Sequence, residues 1–411
     1  MILFFTIMGL LFISLYQVKK KEVTSPIFVF SLLWMIVLFL YSLRLYGIYD
    51  ISINTELILF LGIYSFLMGA IFFNHVIIIP KSYIIENKIC YKKITIIFIV
   101  IFGLSLDFYI PNIMMVFQGT AVNTIKMMLV TGDISLGGPI MQYIVRPFTY
   151  IIIATASYCL FYDRKRKLLI LLGVIFVLME FFGAGSKTII LYTASTLALP
   201  LFDKAQIYYR RNDIGKRIII VALLVFMFLF MGSRSLYFYI SGCIPMFDKV
   251  INTTFYMPDG FSFGYVSFNS VIRFVIHIIS ILGIDINSSL FDQANKYINL
   301  FEYTTKVSDY GNYNAFHTFL GDFYVDLGIF GVILFSFIFG ILSMYIYKIY
   351  KKTNISLLGH ILYCIILYYL VFSIVRFQMS NTFLGLMLLY SLLILKFIIY
   401  PTKIRIGKLV L

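Results

Sequence analysis

Long apolar runs separated by short polar connections occupy nearly the whole chain. Runs of about 17 to 25 apolar residues are long enough to cross a bilayer as helices, and we predict about eleven of them, within a range of about ten to twelve. The predicted spans are 2–18, 27–47, 57–79, 94–116, 139–161, 168–183, 188–202, 218–232, 327–347, 356–376 and 382–400. The pattern predicts an all-α, polytopic integral membrane protein that forms a single integral membrane domain over 1–411.

One connection is far longer than the others and precedes the last three spans. It covers 233–326 and is rich in aromatic residues. Its apolar run at 272–284 is too short to cross a bilayer, so we expect an interfacial or re-entrant helix there. Long aromatic-rich loops usually bind a ligand, and aromatic faces together with amides and carboxylates suit sugar rings.

Composition excludes a soluble globular protein. Of the 411 residues, 61% are hydrophobic and 12% are charged, whereas average soluble domains have about 25% charged residues. The net charge of +15 comes from short basic clusters between apolar runs, which is typical of membrane orientation and argues against nucleic-acid binding. The four cysteines are scattered without a CxxC pair, so we expect neither a zinc site nor a disulfide framework.

The basic clusters predict an orientation. About two thirds of the 33 Lys and Arg residues lie in alternate connections, which the positive-inside rule assigns to the cytoplasm. The N-terminus is then external, the C-terminus cytoplasmic and the long loop external.

The segment Gly311–Gly340, GNYNAFHTFLGDFYVDLGIFGVILFSFIFG, joins a polar edge to an apolar helix. Histidine titrates near neutrality and can accept a proton from a hydroxyl group, so His317 is a candidate base. The rival is His277, in the run 272–284. A helix that starts at Asn314 turns Asp322 and Asp326 away from one stripe of side chains. That stripe contains Asn314, His317, Gly321, Tyr324 and Gly328. The alternative is a glycine packing stripe with a hydrogen-bonded interfacial histidine.

Four cations oppose the charge bias at the outer ends of spans. They are Arg146, Lys187 in GAGSKT, Arg234 in GSRS, and Arg376 in VRFQMSN. Each can snorkel to the lipid headgroups, but together they suggest a diphosphate held at the bilayer surface. A kink at Pro147 would aim Arg146 inward. We interpret Glu180 as a structural partner of Lys187, with a catalytic carboxylate as the alternative.

The chain has no phosphate-binding GxxxxGK[ST] motif and no DxD motif, so neither ATP nor a cytosolic nucleotide sugar is indicated. The many spans, the long external loop and NAFHTFLGDFYVDLGIFG at its exit resemble the Wzy-type polymerases of oligosaccharide repeat units in O-antigen and capsule pathways. The related O-antigen ligase family has a histidine in a comparable motif, which supports His317.

The resemblance implies a metal-independent glycosyltransferase of the bacterial cytoplasmic membrane that needs no cofactor. Its donor is a chain on undecaprenyl diphosphate, and its acceptor is a newly flipped lipid-linked repeat unit. His317 is then the base. The implied diphosphate-binding residues are Arg234, Arg376, Lys187 and Arg146, although the family often has arginine where Lys187 stands. We expect Asn314, Asp322 and Tyr324 to contact sugar. A flippase and a chain-length regulator are the implied protein partners.

Two other functions remain open from the sequence. A flippase for lipid-linked oligosaccharide predicts charges along a central path near the midplane, where this chain has few. A ligase that transfers finished polysaccharide shares most of the features of a polymerase.

Overall fold

The computed structural model describes most of the chain. The described residues are 1–76, 89–131, 137–186, 188–207, 233–252, 260–284, 288–300, 304–314, 317–351, 356–393, 405–406 and 409–410.

Helices account for most of these residues. In chain order they are α1 Ile2–Lys19, α2 Pro26–Ser42, α3 Ile53–Val76, α4 Tyr91–Phe117, α5 Val122–Thr131, α6 Gly138–Tyr162, α7 Lys167–Gly183, α8 Thr188–Ile207, α9 Ser233–Ser241, α10 Cys243–Asn252, α11 Asn269–Ile281, α12 Ser289–Leu300, α13 Thr318–Tyr350, α14 Leu357–Val371 and α15 Thr382–Leu393. The strands are β1 Thr304–Ser308, β2 Gly311–Asn314, β3 Arg405–Ile406 and β4 Leu409–Val410.

Several helices are suited to a bilayer. Within the described residues, 6 helices are long and apolar enough to span a membrane, namely α1, α3, α4, α6, α13 and α14. The predicted spans 27–47, 168–183, 188–202 and 382–400 overlap the helices α2, α7, α8 and α15. The predicted span 218–232 lies outside the described residues. The apolar helices therefore indicate a mostly helical, multi-pass membrane protein. The number of eleven spans stays a prediction.

The all-α prediction omitted short antiparallel strand pairs. β1 pairs with β2, and β3 pairs with β4. The first pair joins TTKVS to GNYN through a turn at Asp309 and Tyr310, and threonine, valine and tyrosine favour strands. The long loop thus contains α9 to α12, a hairpin and the start of α13. Its helix α11 covers most of the predicted 272–284 segment.

The Cα positions form two compact units, where the sequence predicts one integral domain. The first unit contains Met1–Ile77, Leu201–Lys348 and Ile366–Gly385. The second contains Ile78–Pro200, Ile349–Ile365 and Leu386–Leu411. Each unit therefore combines distant parts of the sequence.

An aromatic core organises the first unit. Phe30 stacks on Phe66 with ring centroids 3.9 Å apart, and the Phe319 ring meets the Trp34 ring edge-on at 5.8 Å. The Trp34 indole N–H donates to Ser373 Oγ at 3.0 Å, so its one polar atom is satisfied. These contacts hold the start of α13 against α2 and the segment after α14.

Two glycines let α3 and α13 approach backbone to backbone. A Cβ added at Gly69 would lie 2.1 Å from the carbonyl oxygen of Phe337, and a Cβ added at Gly340 would lie 2.1 Å from that of Phe66. Small residues at such crossings permit close helix packing in membranes. The pair fixes α13 against α3 along its apolar length.

The helix α13 is broken about a third of the way along its length. Leu327 and Gly328 have non-helical backbone angles, and Gly328 has φ of 62°, which glycine adopts without strain. The sequence predicted an uninterrupted stripe from Asn314 to Gly328. That stripe is wrong, because Asn314 belongs to β2 and the helix begins only at Thr318.

Asp326 ties the loop before α11 to the first part of α13. Its carboxylate accepts hydrogen bonds from the hydroxyl group of Ser262 and from the backbone N–H groups of Gly264, Val266 and Ser267. The side chain is fully buried, and this set of donors compensates a charge that is costly to bury. These hydrogen bonds therefore attach the C-terminal end of the first segment of α13, just before the break, to the loop before α11.

We expect the contact between α3 and α13 to be sensitive to a single methyl group. Gly69→Ala and Gly340→Ala should each lower the free energy of unfolding by about 1–3 kcal/mol, because the new Cβ overlaps a backbone oxygen. Thermal unfolding of purified protein in detergent measures the change.

Gly103→Ala on α4 is the matched control. Apart from its chain neighbours and the backbone of its own helix, no described atom lies within 4 Å of its added Cβ. Alanine is favoured over glycine in a helix by about 0.5–1 kcal/mol. Equal unfolding midpoints for all three variants would contradict the close contact of α3 and α13 at Gly69 and Gly340.

Candidate functional site

His317 lies just before α13, at a turn that directs its side chain onto the helix. The next residue, Thr318, has φ of 69°, which is rare for a β-branched residue and is associated with functional or over-determined sites. The Thr318 N–H donates to the carbonyl oxygen of Val375 at 3.2 Å. The turn is thereby held by the segment that follows α14.

The imidazole of His317 rests on Gly321 in the first turn of α13. A Cβ at Gly321 would lie 2.2 Å from His317 Cδ2, so any larger residue would displace the ring. Glycine at position 321 therefore leaves the space that the ring occupies.

Asp322 contacts His317, although the sequence placed it on a different face. The Nε2 atom of His317 lies 2.8 Å from Asp322 Oδ1, and the exposed fractions of the two residues are 3% and 1%. The predicted separation is wrong because His317 precedes the helix, so helical periodicity does not apply to it. The other oxygen, Asp322 Oδ2, accepts from the Phe377 N–H at 2.7 Å.

Arg376 lies in an irregular segment between α14 and α15. The Gln378 side chain donates to the carbonyl oxygens of Arg376 at 3.0 Å and Phe372 at 3.3 Å. The Ser380 hydroxyl donates to the Phe377 carbonyl oxygen at 2.7 Å. Non-helical backbone within an apolar region needs such internal partners. They fix the backbone that carries the half-buried Arg376 side chain.

A small cavity brings these parts of the chain together. It is lined by Ile298, His317, Asp322, Arg376 and Ser380. Its volume of about 10 Å³ has room for one water molecule. The cavity in this conformation therefore admits water rather than a sugar ring.

The helix α12 also lines the cavity, through Ile298. The sequence pattern did not single out this helix. The Tyr297 ring meets the His317 ring edge-on, with centroids 5.3 Å apart, and Tyr297 is fully buried. The aromatic-rich composition of the long loop was the only signal for this contact. Ser380 was missed in the same way, because its proximity to His317 depends on the fold.

Among the predicted diphosphate ligands, the cavity contains Arg376. Arg146 belongs to the second unit and lies beside a π-helical segment, Met141–Val145. Its guanidinium group donates to Glu180 Oε1 at 2.9 Å, and the Tyr109 hydroxyl donates to Glu180 Oε2. The sequence assigned Glu180 to Lys187, which lies outside the described residues, and the described partners of Glu180 are Arg146 and Tyr109.

The remaining predicted site residues are not among the described residues that line the cavity. Lys187 lies outside the described residues. Arg234 is in α9 and Asn314 is in β2, and neither side chain belongs to the described part of the structure. Tyr324 is half-buried in α13 and is not among the described residues that line the cavity.

Within the described residues, no group of three His, Cys, Asp or Glu side chains is arranged to hold a metal ion. The ionisable groups that line the cavity are an imidazole paired with a carboxylate and, beside them, a guanidinium group. Such a set can accept a proton and stabilise an anion.

Comparisons with protein-family models, curated proteins and solved structures find no match to this chain.

We expect Gly321→Ala to destabilise the protein by about 1–3 kcal/mol, because the methyl group overlaps the His317 ring. Thermal unfolding of the single variants and of the double variant Gly321→Ala/His317→Ala tests the origin of the loss. Removal of the ring should cancel most of the alanine penalty, which appears as a non-additive double-mutant cycle. Strictly additive losses would show that the penalty does not come from His317.

Proposed function

We propose that this protein is a metal-independent membrane glycosyltransferase that polymerises undecaprenyl-diphosphate-linked oligosaccharide repeat units into O-antigen or capsular polysaccharide. The single observation that carries the proposal is the cavity that joins His317 and Arg376. A base and a cation beside the same space are the two groups that transfer from a lipid diphosphate requires.

The reaction assigns one task to each group. The acceptor hydroxyl oxygen attacks the anomeric carbon of the donor sugar, and the bond from that carbon to the diphosphate oxygen breaks. His317 takes the hydroxyl proton, and the lipid diphosphate leaves as an anion. Arg376 stabilises the charge that develops on the leaving group, for which a guanidinium group is well suited.

The lipid diphosphate is already an activated leaving group. The protein therefore has to position the hydroxyl group, remove its proton and stabilise negative charge. The burial of the His317 and Asp322 pair supports this assignment, since electrostatic interactions are stronger where water is excluded.

The proposal includes an orientation. The chain crosses the bacterial cytoplasmic membrane about eleven times, with an external N-terminus and a cytoplasmic C-terminus. His317 and Arg376 are then at the external face, where flipped repeat units arrive. A flippase supplies these units, and a chain-length regulator is the expected partner for termination.

We expect His317→Ala and Arg376→Ala to reduce the polymer to single repeat units on lipid, displayed on the outer leaflet. Loss of the base should lower the rate about 10²–10⁴-fold, and loss of the cation about 10²–10³-fold. A gel of lipid-linked and surface polysaccharide from cells that carry each variant, beside the parent and a deletion, measures the chain-length ladder.

His277→Ala is the matched control for the histidine variant. His277 lies on α11 and does not line the cavity, so its variant should give a normal ladder at equal protein abundance. Normal ladders from the His317 and Arg376 variants would refute the assignment. Repeat units trapped on the inner leaflet of the deletion strain would instead indicate a flippase. Full-length polymer that stays on its lipid carrier in the deletion strain would indicate a ligase.

A further inference from the structure

The carboxylate of Asp322 makes two hydrogen bonds that join two different parts of the site. Oδ1 lies 2.8 Å from the imidazole Nε2 of His317. Oδ2 accepts from the backbone N–H of Phe377 at 2.7 Å, and Phe377 follows Arg376 directly in the chain. One side chain therefore connects the candidate base to the backbone that carries the candidate cation.

We propose that Asp322 is a positioning residue, which holds the imidazole of His317 in the form with the proton on Nε2 and fixes it relative to Arg376. This inference rests on the proposed function, because it gives His317 the role of base. It replaces the sequence-based expectation that Asp322 contacts sugar.

The burial of Asp322 and its two protein partners argue against a sugar contact. Asp322 has an exposed fraction of 1%, and each of its oxygens has a protein partner within 2.8 Å. These two charge-assisted hydrogen bonds are about twice as strong as neutral ones, so they hold the carboxylate against the protein. The carboxylate is better placed to act on the protein than on a ligand.

The pairing also selects a tautomer. An ionised carboxylate only accepts hydrogen bonds, and Oδ2 already accepts from an N–H group. Oδ1 then accepts from Nε2–H of the neutral imidazole, which leaves Nδ1 as the basic nitrogen. The ordering of a catalytic imidazole by a buried carboxylate is a recurring device in proton transfer.

Further contacts restrict the ring to this orientation. The ring rests on the backbone at Gly321, and the Tyr297 ring meets it edge-on. The left-handed backbone of Thr318 sets the direction from which His317 enters. Asp322 supplies the hydrogen bond that decides which nitrogen carries the proton within this packing.

The substitution Asp322→Asn removes the charge of the side chain and keeps its shape. Asparagine has one acceptor oxygen and one NH₂ group, and the Phe377 N–H requires an acceptor. The oxygen then faces Phe377, the NH₂ group faces Nε2 of His317, and the imidazole has to carry its proton on Nδ1. The substitution should therefore reverse the tautomer while the side-chain volume stays the same.

The first measurement is solid-state ¹⁵N NMR of histidine-labelled protein in proteoliposomes at alkaline pH, with the His317 signals assigned by their loss in His317→Ala. The parent should show a protonated Nε2 and an unprotonated Nδ1, and Asp322→Asn should show the reverse. Identical His317 signals in the parent and in Asp322→Asn would overturn the inference.

The second measurement is steady-state kinetics with lipid-linked repeat units. Asp322→Asn should lower kcat about 10²–10⁴-fold, with KM unchanged within about threefold. It should add nothing to the loss in His317→Ala, since the two residues act as one unit. Asp322→Glu keeps the charge and should recover part of kcat. A rise in KM with unchanged kcat would instead identify Asp322 as a sugar ligand.

The two measurements separate failure of the inference from failure of the proposed function. The NMR signals of His317 do not require transferase activity. A parent protein without transferase activity but with the expected pair of tautomers would refute the proposed function and leave the hydrogen-bonding role of Asp322 supported. An active parent in which Asp322→Asn leaves the tautomer unchanged would refute the inference alone.

Discussion

A charge buried in an apolar helical protein needs hydrogen-bond partners, and this constraint organises the polar interior of the structure. Asp322, Asp326 and Glu180 are each at most 1% exposed. A carboxylate left unpaired in such surroundings would be strongly destabilising. Each one is satisfied in a different way: by an imidazole and an amide, by a hydroxyl group with three amides, and by a guanidinium group with a phenol.

These buried carboxylates connect segments that are distant in sequence. Asp322 reaches the backbone after α14, and Asp326 reaches the loop before α11. The two residues are separated by about one helical turn, so the short first part of α13 is held from two sides. The break at Leu327 and Gly328 then lets the apolar second part follow its own direction, set by the glycine contacts with α3.

The same arrangement suits proton transfer next to an anion. Aromatic and aliphatic side chains surround His317, and the cavity holds space for one water molecule. Charge interactions in such a site are less screened than in bulk water. A base and a cation held by fixed backbone contacts need little reorganisation when charge develops, which is how preorganised sites lower barriers.

The membrane character of the chain follows from the sequence alone, because apolar runs of span length and clustered basic residues are local patterns. The sequence also placed His317 and Gly321 on one face, although their observed contact comes from the turn at Thr318 rather than from a helix that starts at Asn314. The partners of Asp322 and Glu180, the break in α13 and the packing of Tyr297 against His317 follow only from the fold. These depend on contacts between distant segments and on the turn at Thr318, where periodicity ends and hydrogen bonding of buried polar groups selects the geometry.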